Sequence, residues 1–145
     1  MARLKLVIPP KKIASVTIPV RITDINYGNH LGNNAMVAII HEARMQWLQQ
    51  HGYSELNIEN TGLILADLMV EFKSEGFYGD LIEVVLSVGE ISKVSFELYY
   101  TLTTQRNSLQ LILALAKTGM VCYDYSSKKV VPVPVKLYEI LSAPL

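Results

Sequence analysis

The sequence predicts an α+β fold in which one long buried helix is wrapped by a five-stranded antiparallel sheet. Three observations predict it. A strand-like alternation precedes the helix, the first half of the helix has almost no polar face, and four extended segments follow without another strong helix. Strands grouped after one helix are typical of an α+β layer fold. A length of 145 residues is that of one domain, and we expect a single domain over 1–145.

The first strand is predicted over Ser15 to Ile22, where apolar and polar residues alternate. Pro19 cannot donate a ladder hydrogen bond, which indicates an edge strand or a bulge. The next segment, Asp24 to Asn34, is rich in Asn and Gly and is predicted to be a loop.

The helix is predicted to begin at Asn33 or Asn34, whose side-chain oxygens suit an N-cap, and to stop at Gly52. Residues 35–40 are all apolar, which predicts that this half of the helix is buried nearly all round. Later extended segments and turns complete the pattern. They are predicted strands at Gly62 to Lys73, Asp80 to Ile91, Val94 to Thr104 and Leu109 to Tyr123, turns at 105–108 and 125–130, and a short terminal helix around Val135 to Leu141.

Composition excludes several classes of function. Hydrophobic residues make up 50% and charged residues 18%, an excess that favours a subunit interface or an apolar pocket. Thirteen basic and thirteen acidic residues cancel, and without a basic run nucleic acid is not an expected partner. Apolar runs such as 109–116 are too short to span a bilayer, so no membrane insertion is expected. The single Cys122 excludes an internal disulfide and a Cys-rich metal site, and we expect a cytoplasmic protein without a bound metal.

A motif spans the loop and the helix. Residues 21–44 read RITDINYGNHLGNNAMVAIIHEAR. This resembles the hotdog thioesterases of the 4-hydroxybenzoyl-CoA thioesterase superfamily, whose pattern is Asp-x-Asp, then Gly-His-Val-Asn-Asn, then a helix with Glu-Ala-Arg. Asp24, His30 and Asn33 match, and Glu42 begins the Glu-Ala-Arg element at the expected distance. The resemblance covers about 16–141 and includes a Gly-Asp pair at 79–80 and Pro134.

The resemblance implies the hotdog fold and hydrolysis of an acyl-CoA thioester to free acid and coenzyme A by a homo-oligomer, a dimer or a dimer of dimers, without a cofactor. Two positions depart from the family. Asn26 stands where many members have the catalytic carboxylate, and Asn29 replaces the glycine before the histidine. These departures leave the fold expectation intact and weaken the catalytic one.

Thioester hydrolysis needs an activated water and donors for the developing oxyanion. The resemblance implies that the carbonyl lies against the helix N-terminus, and free N–H groups there stabilise negative charge. We therefore expect the oxyanion donors at the start of the helix, at Asn33, Asn34 and Ala35.

The base has three candidates among residues of the right chemistry. His30 carries an imidazole, the side chain most often used as a general base, and it can orient or deprotonate water. Glu42 lies about two turns into an apolar helix, where burial would favour its protonated form. Asp67 interrupts an apolar strand and is expected near the helix of a partner subunit in a hotdog dimer. Asn26 cannot act as a base, but it can hold water or a carbonyl by hydrogen bonds.

Each candidate also has a structural interpretation. Asp24 and Asn26 are of residue types common in turns, and His30 can orient the loop. Glu42 can form an ion pair with a basic residue. Asp67 can be a paired carboxylate at a subunit interface. For the phosphates of coenzyme A the sequence offers basic residues without a distinctive spacing: Lys73, Arg106, Lys117, Lys128 and Lys129.

Two alternative functions remain open at this point. The same site can cleave an acyl group from a carrier protein. The replacement at Asn26 favours, in contrast, a non-catalytic protein that binds acyl-CoA.

Overall fold

The structure is a computed structural model that describes residues 2–143 and 145. It contains a long helix followed by antiparallel strands, and it confirms the predicted fold class. The elements in chain order are β1 (Lys12–Pro19), a 3-10 turn (Ile22–Asp24), α1 (Asn33–Gln50), β2 (Gly62–Phe72), β3 (Leu81–Ile91), β4 (Ser95–Arg106), β5 (Leu109–Asp124), β6 (Lys129–Val130) and α2 (Val135–Ser142).

The strands form one antiparallel sheet in the order β1-β3-β4-β5-β2, and the two-residue β6 pairs with β5. β1 is an edge strand with a bulge near its start, as Pro19 predicted. It starts three residues earlier than predicted and ends at Pro19. The predicted end at Ile22 is wrong because residues 22–24 turn into the 3-10 helix.

Alternating side chains of the strands divide the sheet into an inner face, covered by α1, and an outer face. In β4, Phe96, Leu98, Tyr100 and Leu102 are buried on the inner face, and the residues between them are half-buried on the outer face. The largest buried side chain is Trp47 of α1. The core thus lies between α1 and the inner face of the sheet.

The start of α1 differs from the prediction. Gly32 is the N-cap, so Asn33 and Asn34 are the first two helical residues, and neither caps the helix. The expected burial all round is also wrong for the single chain. Asn34, Ala38 and Glu42 are exposed along one stripe, while Ile39 and Ile40 are buried on the other side.

Two predicted chain reversals are confirmed, the second within narrower bounds than 105–108 because β4 continues to Arg106. Gly52 has a φ of +77°, and its N–H donates to the carbonyl of Gln49, which ends α1 in the left-handed conformation that glycine adopts freely. The β4–β5 hairpin turns at Asn107 and Ser108, both with positive φ, as a two-residue hairpin requires. In the described part of the chain, no helix is long and apolar enough to cross a membrane.

Candidate active site

The loop before α1 is a tight hairpin that presents His30. The N–H of Asn26 donates to the carbonyl of His30 at 3.0 Å, and the N–H of Asn29 donates to the carbonyl of Asn26 at 3.1 Å. The side-chain Oδ1 of Asn26 accepts from the N–H of Gly28 at 2.9 Å. Because Oδ1 is used in this turn, the amide NH2 of Asn26 is the part of the side chain that can donate to a ligand.

Asn29 and Gly28 are residue types that the shape of this hairpin favours. Asn29 has a φ of +64°, a conformation that glycine and asparagine adopt more readily than other residues. The replacement of the family's glycine by Asn29 therefore preserves the turn. A Cβ on Gly28 would lie 3.1 Å from Nε2 of His30, so glycine lets the imidazole pack against the turn.

His30 opens into a cavity of ≈ 220 Å³ between the loop, the start of α1 and the end of β2. Its side chain is 36% exposed, and Nε2 lies 3.9 Å from Oε1 of Glu75. The walls are mixed, with apolar and polar side chains. They are formed by His30, Leu31, Asn33, Met36, Phe72, Lys73, Ser74, Glu75 and Gly76.

The position of His30 is held from the far wall. Leu31 N–H donates to the carbonyl of Gly76 at 2.7 Å. A Cβ on Gly76 would lie 3.0 Å from Cδ2 of Leu31, so a larger residue there would push against Leu31. The segment after β2 therefore fixes the residue next to His30.

The start of α1 leaves backbone donors at the same cavity. Gly32 N–H is bonded to the carbonyl of Asp24 at 3.0 Å. For the N–H groups of Asn33, Asn34 and Ala35 we find no acceptor among residues 2–143 and 145, as is usual in the first turn of a helix. Asn33 lines the cavity, so free donors and the positive end of the helix dipole lie next to His30.

Asp24 has a structural position. It is buried, and its Oδ2 accepts from the backbone N–H of Arg21 at 2.9 Å. Its carboxylate also pairs with the guanidinium of Arg21 at 3.3 Å. These bonds close the 3-10 turn, and they favour the structural interpretation of Asp24 over a catalytic one.

Glu42 does not lie in the His30 cavity. Its carboxylate is exposed and accepts from Nε2 of Gln46 at 2.9 Å, so the expected burial of Glu42 is wrong for the single chain. It lines a different depression, which it shares with Arg21, Asp24 and Ala38. A joint role with His30 would therefore require residues from two different chains.

Asp67 lies on the outer face of the sheet, in the row of Gly119. Its Oδ1 accepts from Nζ of Lys117 at 2.9 Å and from Gly119 N–H at 2.9 Å. The bond from Lys117 is the main reason that the pKa of Asp67 is below its usual value. Lys117 also lies 3.5 Å from Glu97. These contacts favour the structural interpretation of Asp67.

The arginine of the Glu-Ala-Arg element is part of a buried network below the middle of α1. Arg44 donates through Nε to Glu55 at 2.8 Å and through Nη1 to the hydroxyl of Tyr100 at 3.2 Å. That hydroxyl lies 2.7 Å from Oγ1 of Thr118. Burial lowers the pKa of Arg44, but the bonds to Tyr100 and Glu55 outweigh this effect and hold it above its usual value. Arg44 is therefore a structural cation.

Sequence reasoning missed the far wall of the cavity. Phe72, Glu75 and Gly76 are more than forty residues from His30 in the chain, as their numbers show. The only local signal is the Ser-Glu-Gly stretch at 74–76, which reads as an ordinary turn. In the described residues, no group of three or more His, Cys, Asp or Glu side chains is arranged to hold a metal ion.

The fold, with its open cavity at the helix N-terminus, is the predicted hotdog fold, and membership of a thioesterase family classes the protein as a thioester hydrolase, as predicted. Residues 20–141 match the family model of the thioesterase-like superfamily, and the chain belongs to this superfamily.

Individual relatives agree with this assignment. A protein of Aquifex aeolicus (strain VF5), named "Putative esterase", is 28% identical over 102 residues, which cover 69% of this chain and 75% of that protein. The structure of a 1,4-dihydroxy-2-naphthoyl-CoA thioesterase from Synechocystis has a TM-score of 0.78 at 23% identity, covering 88% of this chain and 93% of that one. A gentisyl-coenzyme A thioesterase has a TM-score of 0.76 at 18% identity, covering 89% of this chain and all of that one (100%).

Proposed function

We propose that this protein hydrolyses an acyl-CoA thioester at the His30 cavity, as a cytoplasmic homo-oligomer. The observation that carries the proposal is the placement of His30 beside the free N–H groups at the start of α1. A general base and an oxyanion site are the two elements that acyl transfer to water requires.

The proposed reaction uses these groups in turn. His30 takes a proton from water as the water oxygen attacks the thioester carbon, and the N–H groups of Asn33 and Asn34 bind the resulting oxyanion. When the oxyanion collapses, the C–S bond breaks and the proton on His30 passes to the leaving sulfur. The products are a carboxylic acid and a free thiol. Glu75, 3.9 Å from His30, stabilises the imidazolium formed in the first step.

Asn26 has a supporting role in this proposal. It lacks the basicity of the carboxylate that many relatives have at this position, so His30 is the base. The amide NH2 of Asn26 is free to donate to the carbonyl or to water, because its oxygen is bonded to Gly28.

The acyl group is proposed to be compact or aromatic. The cavity measures ≈ 220 Å³ and has apolar walls at Leu31, Met36 and Phe72. Pockets for larger ligands are typically about 300–1,000 Å³. Two structural neighbours are named as thioesterases of 1,4-dihydroxy-2-naphthoyl-CoA and of gentisyl-coenzyme A, which agrees with an aryl group.

A second copy of the chain is part of the proposal. Glu42 and His30 line separate depressions of one chain, and the stripe of Asn34, Ala38 and Glu42 is an exposed helix surface. Contact between copies would cover this stripe and could bring Glu42 to the site of the other chain. The cross-subunit role predicted for Asp67 remains a prediction, and its bonds to Lys117 and Gly119 argue against it.

The test is thiol release from a panel of acyl-CoA thioesters, from short aliphatic to aryl groups, with the native protein, His30→Ala and Glu42→Ala. We expect aryl-CoA turnover to fall by about 100-fold or more in His30→Ala, the lower end of what a general base contributes. His51→Ala is the matched control because His51 is exposed beyond the end of α1.

Unchanged turnover in His30→Ala would remove the proposed base. Tight binding of acyl-CoA without hydrolysis of any member of the panel would show a binding protein instead of an enzyme.

A further inference from the structure

The segment before β1, residues 2–11, which we call the N-terminal arm, connects the two edges of the sheet. At one end the carbonyl of Lys11 accepts from the N–H of Val88 in β3 at 2.9 Å. Further along, the N–H of Leu6 donates to Oε1 of Glu71 in β2 at 3.0 Å. β4 and β5 lie between these strands, so the arm crosses the sheet.

The arm crosses on the outer face. Glu71 pairs with Leu115, and Leu115 with Thr101, in a row that alternates with the buried inner row. Ser87, also on the outer face, is fully buried although α1 covers the opposite face, as expected if the arm lies over it. The arm is therefore anchored to the structure at the edge of β2.

Basic side chains gather where the arm reaches β2. Nζ of Lys73 lies 2.8 Å from Oε2 of Glu71. The pKa of Glu71 is below its usual value, mainly because of Lys73 and the N–H of Leu6, with a further contribution from the charge of Lys5. Lys5 and Arg3 are both exposed. Glu71 thus pairs with Lys73 and is also influenced by the charge of Lys5.

The basic side chains near Glu71 adjoin the candidate active site, because Lys73 also lines the His30 cavity. Of the other basic residues considered for phosphate binding, Arg106 and Lys117 are engaged with carboxylates, and Lys128 and Lys129 do not line the cavity. Arg106 is paired with Asp80, and Lys117 with Asp67 and Glu97. Arg3 and Lys5 of the arm are exposed, and Lys5 acts on the same carboxylate as Lys73, which is paired with Glu71 and lines the cavity.

We propose that Arg3, Lys5 and Lys73 bind the phosphate groups of coenzyme A while the thioester lies at His30. This inference rests on the proposed function. Phosphate oxygens attract Lys and Arg side chains through charge-assisted hydrogen bonds. The pantetheine chain of coenzyme A separates its phosphates from the thioester. This separation matches basic side chains outside the cavity and the base His30 within it.

The test compares two thioesters of the same acyl group, one on coenzyme A and one on N-acetylcysteamine, which has no phosphate. For Arg3→Ala/Lys5→Ala we expect the KM of the coenzyme A thioester to rise about five-fold, as expected for two exposed ionic contacts. The KM of the N-acetylcysteamine thioester and both kcat values should stay unchanged. Lys128→Ala/Lys129→Ala removes the same charge from the β5–β6 turn and serves as the control.

Three results would overturn the inference: equal changes for both thioesters, no change for either, or a rise in KM only for an acyl-carrier-protein substrate. If the native protein hydrolyses neither thioester, the proposed function fails and the inference is tested by calorimetric binding of coenzyme A. Weaker binding by Arg3→Ala/Lys5→Ala than by the Lys128/Lys129 variant then supports the inference, and equal binding overturns it.

Discussion

Two polar regions along α1 contrast in how their hydrogen bonds are satisfied. Under the middle of the helix, Arg44, Glu55, Tyr100 and Thr118 form a closed network in which each side chain has a partner in the chain. At the start of the helix, backbone donors remain free beside a partly exposed His30. Buried polar groups need partners to be stable, whereas a site must keep some groups unpaired for its substrate. The first region therefore stabilises the fold, and the second is where we expect the substrate to react.

The largest effect is expected from breaking the closed network. Arg44→Ala removes one donor to the hydroxyl of Tyr100, which keeps its contact with Thr118, and it leaves Glu55 without its buried cationic partner. We expect the free energy of unfolding to fall by about 3 kcal/mol, measured by urea denaturation. Lys136→Ala, which removes an exposed pair with Glu59, should leave it nearly unchanged, because solvent screens such a pair. Equal losses in both variants would contradict the distinction between the two kinds of pair.

The open region at the start of α1 can be tested by restoring the carboxylate that many relatives have at position 26. In Asn26→Asp, an aspartate oxygen can still accept from Gly28 N–H, so the hairpin should keep its shape. We expect kcat for an aryl-CoA thioester to rise about 100-fold, because a second general base is then placed in the turn that presents His30. A fall in kcat with unchanged thermal stability would instead show that the amide NH2 of Asn26 is needed as a donor.

A smaller effect is expected from the wall behind His30. Gly76→Ala places a methyl group against Leu31, 3.0 Å from its Cδ2, and should displace the neighbouring His30. We expect kcat/KM to fall about tenfold, since small misplacements of catalytic groups are costly. Gly79→Ala is not a suitable control, because Gly79 has a φ of +86° and would be strained. Ser74→Ala changes the same segment without that strain and should retain most activity.

The smallest effect concerns the ion pair on the outer face. The pKa of Asp67 is lower in the folded chain than its usual 3.8 because of the hydrogen bond from Lys117. Its stabilisation is therefore complete above that value and is lost as the pH falls below it. The side chain is 56% exposed, so we expect less than about 1 kcal/mol. Asp67→Asn should make the stability less steeply dependent on pH below 3.8, measured by denaturation on both sides of that pH, while turnover at neutral pH stays unchanged.

Much of the fold could be predicted from local patterns. The alternation in β4, the apolar stretch of α1 and the turn residues at Gly52 and 105–108 each act within a few residues, and the structure confirms them. The prediction failed where contacts outside the local residue pattern decide the outcome. Asn33 does not cap α1, because Gly32 takes that position with its N–H bonded to Asp24. The stripe at Ala38 is exposed because nothing in the single chain covers it.

The candidate site shows the same division. The sequence by itself determined the His30 loop, the helix that follows it and the departure at Asn26, since these depend on residue types at short spacing. Only the tertiary structure decided that Glu75 and Gly76 form the opposite wall, that Glu42 faces another depression and that the N-terminal arm brings Lys5 to the edge of β2. The reason is physical: such contacts arise from long-range packing of strands and close approach at glycine, which leave little trace in the local sequence.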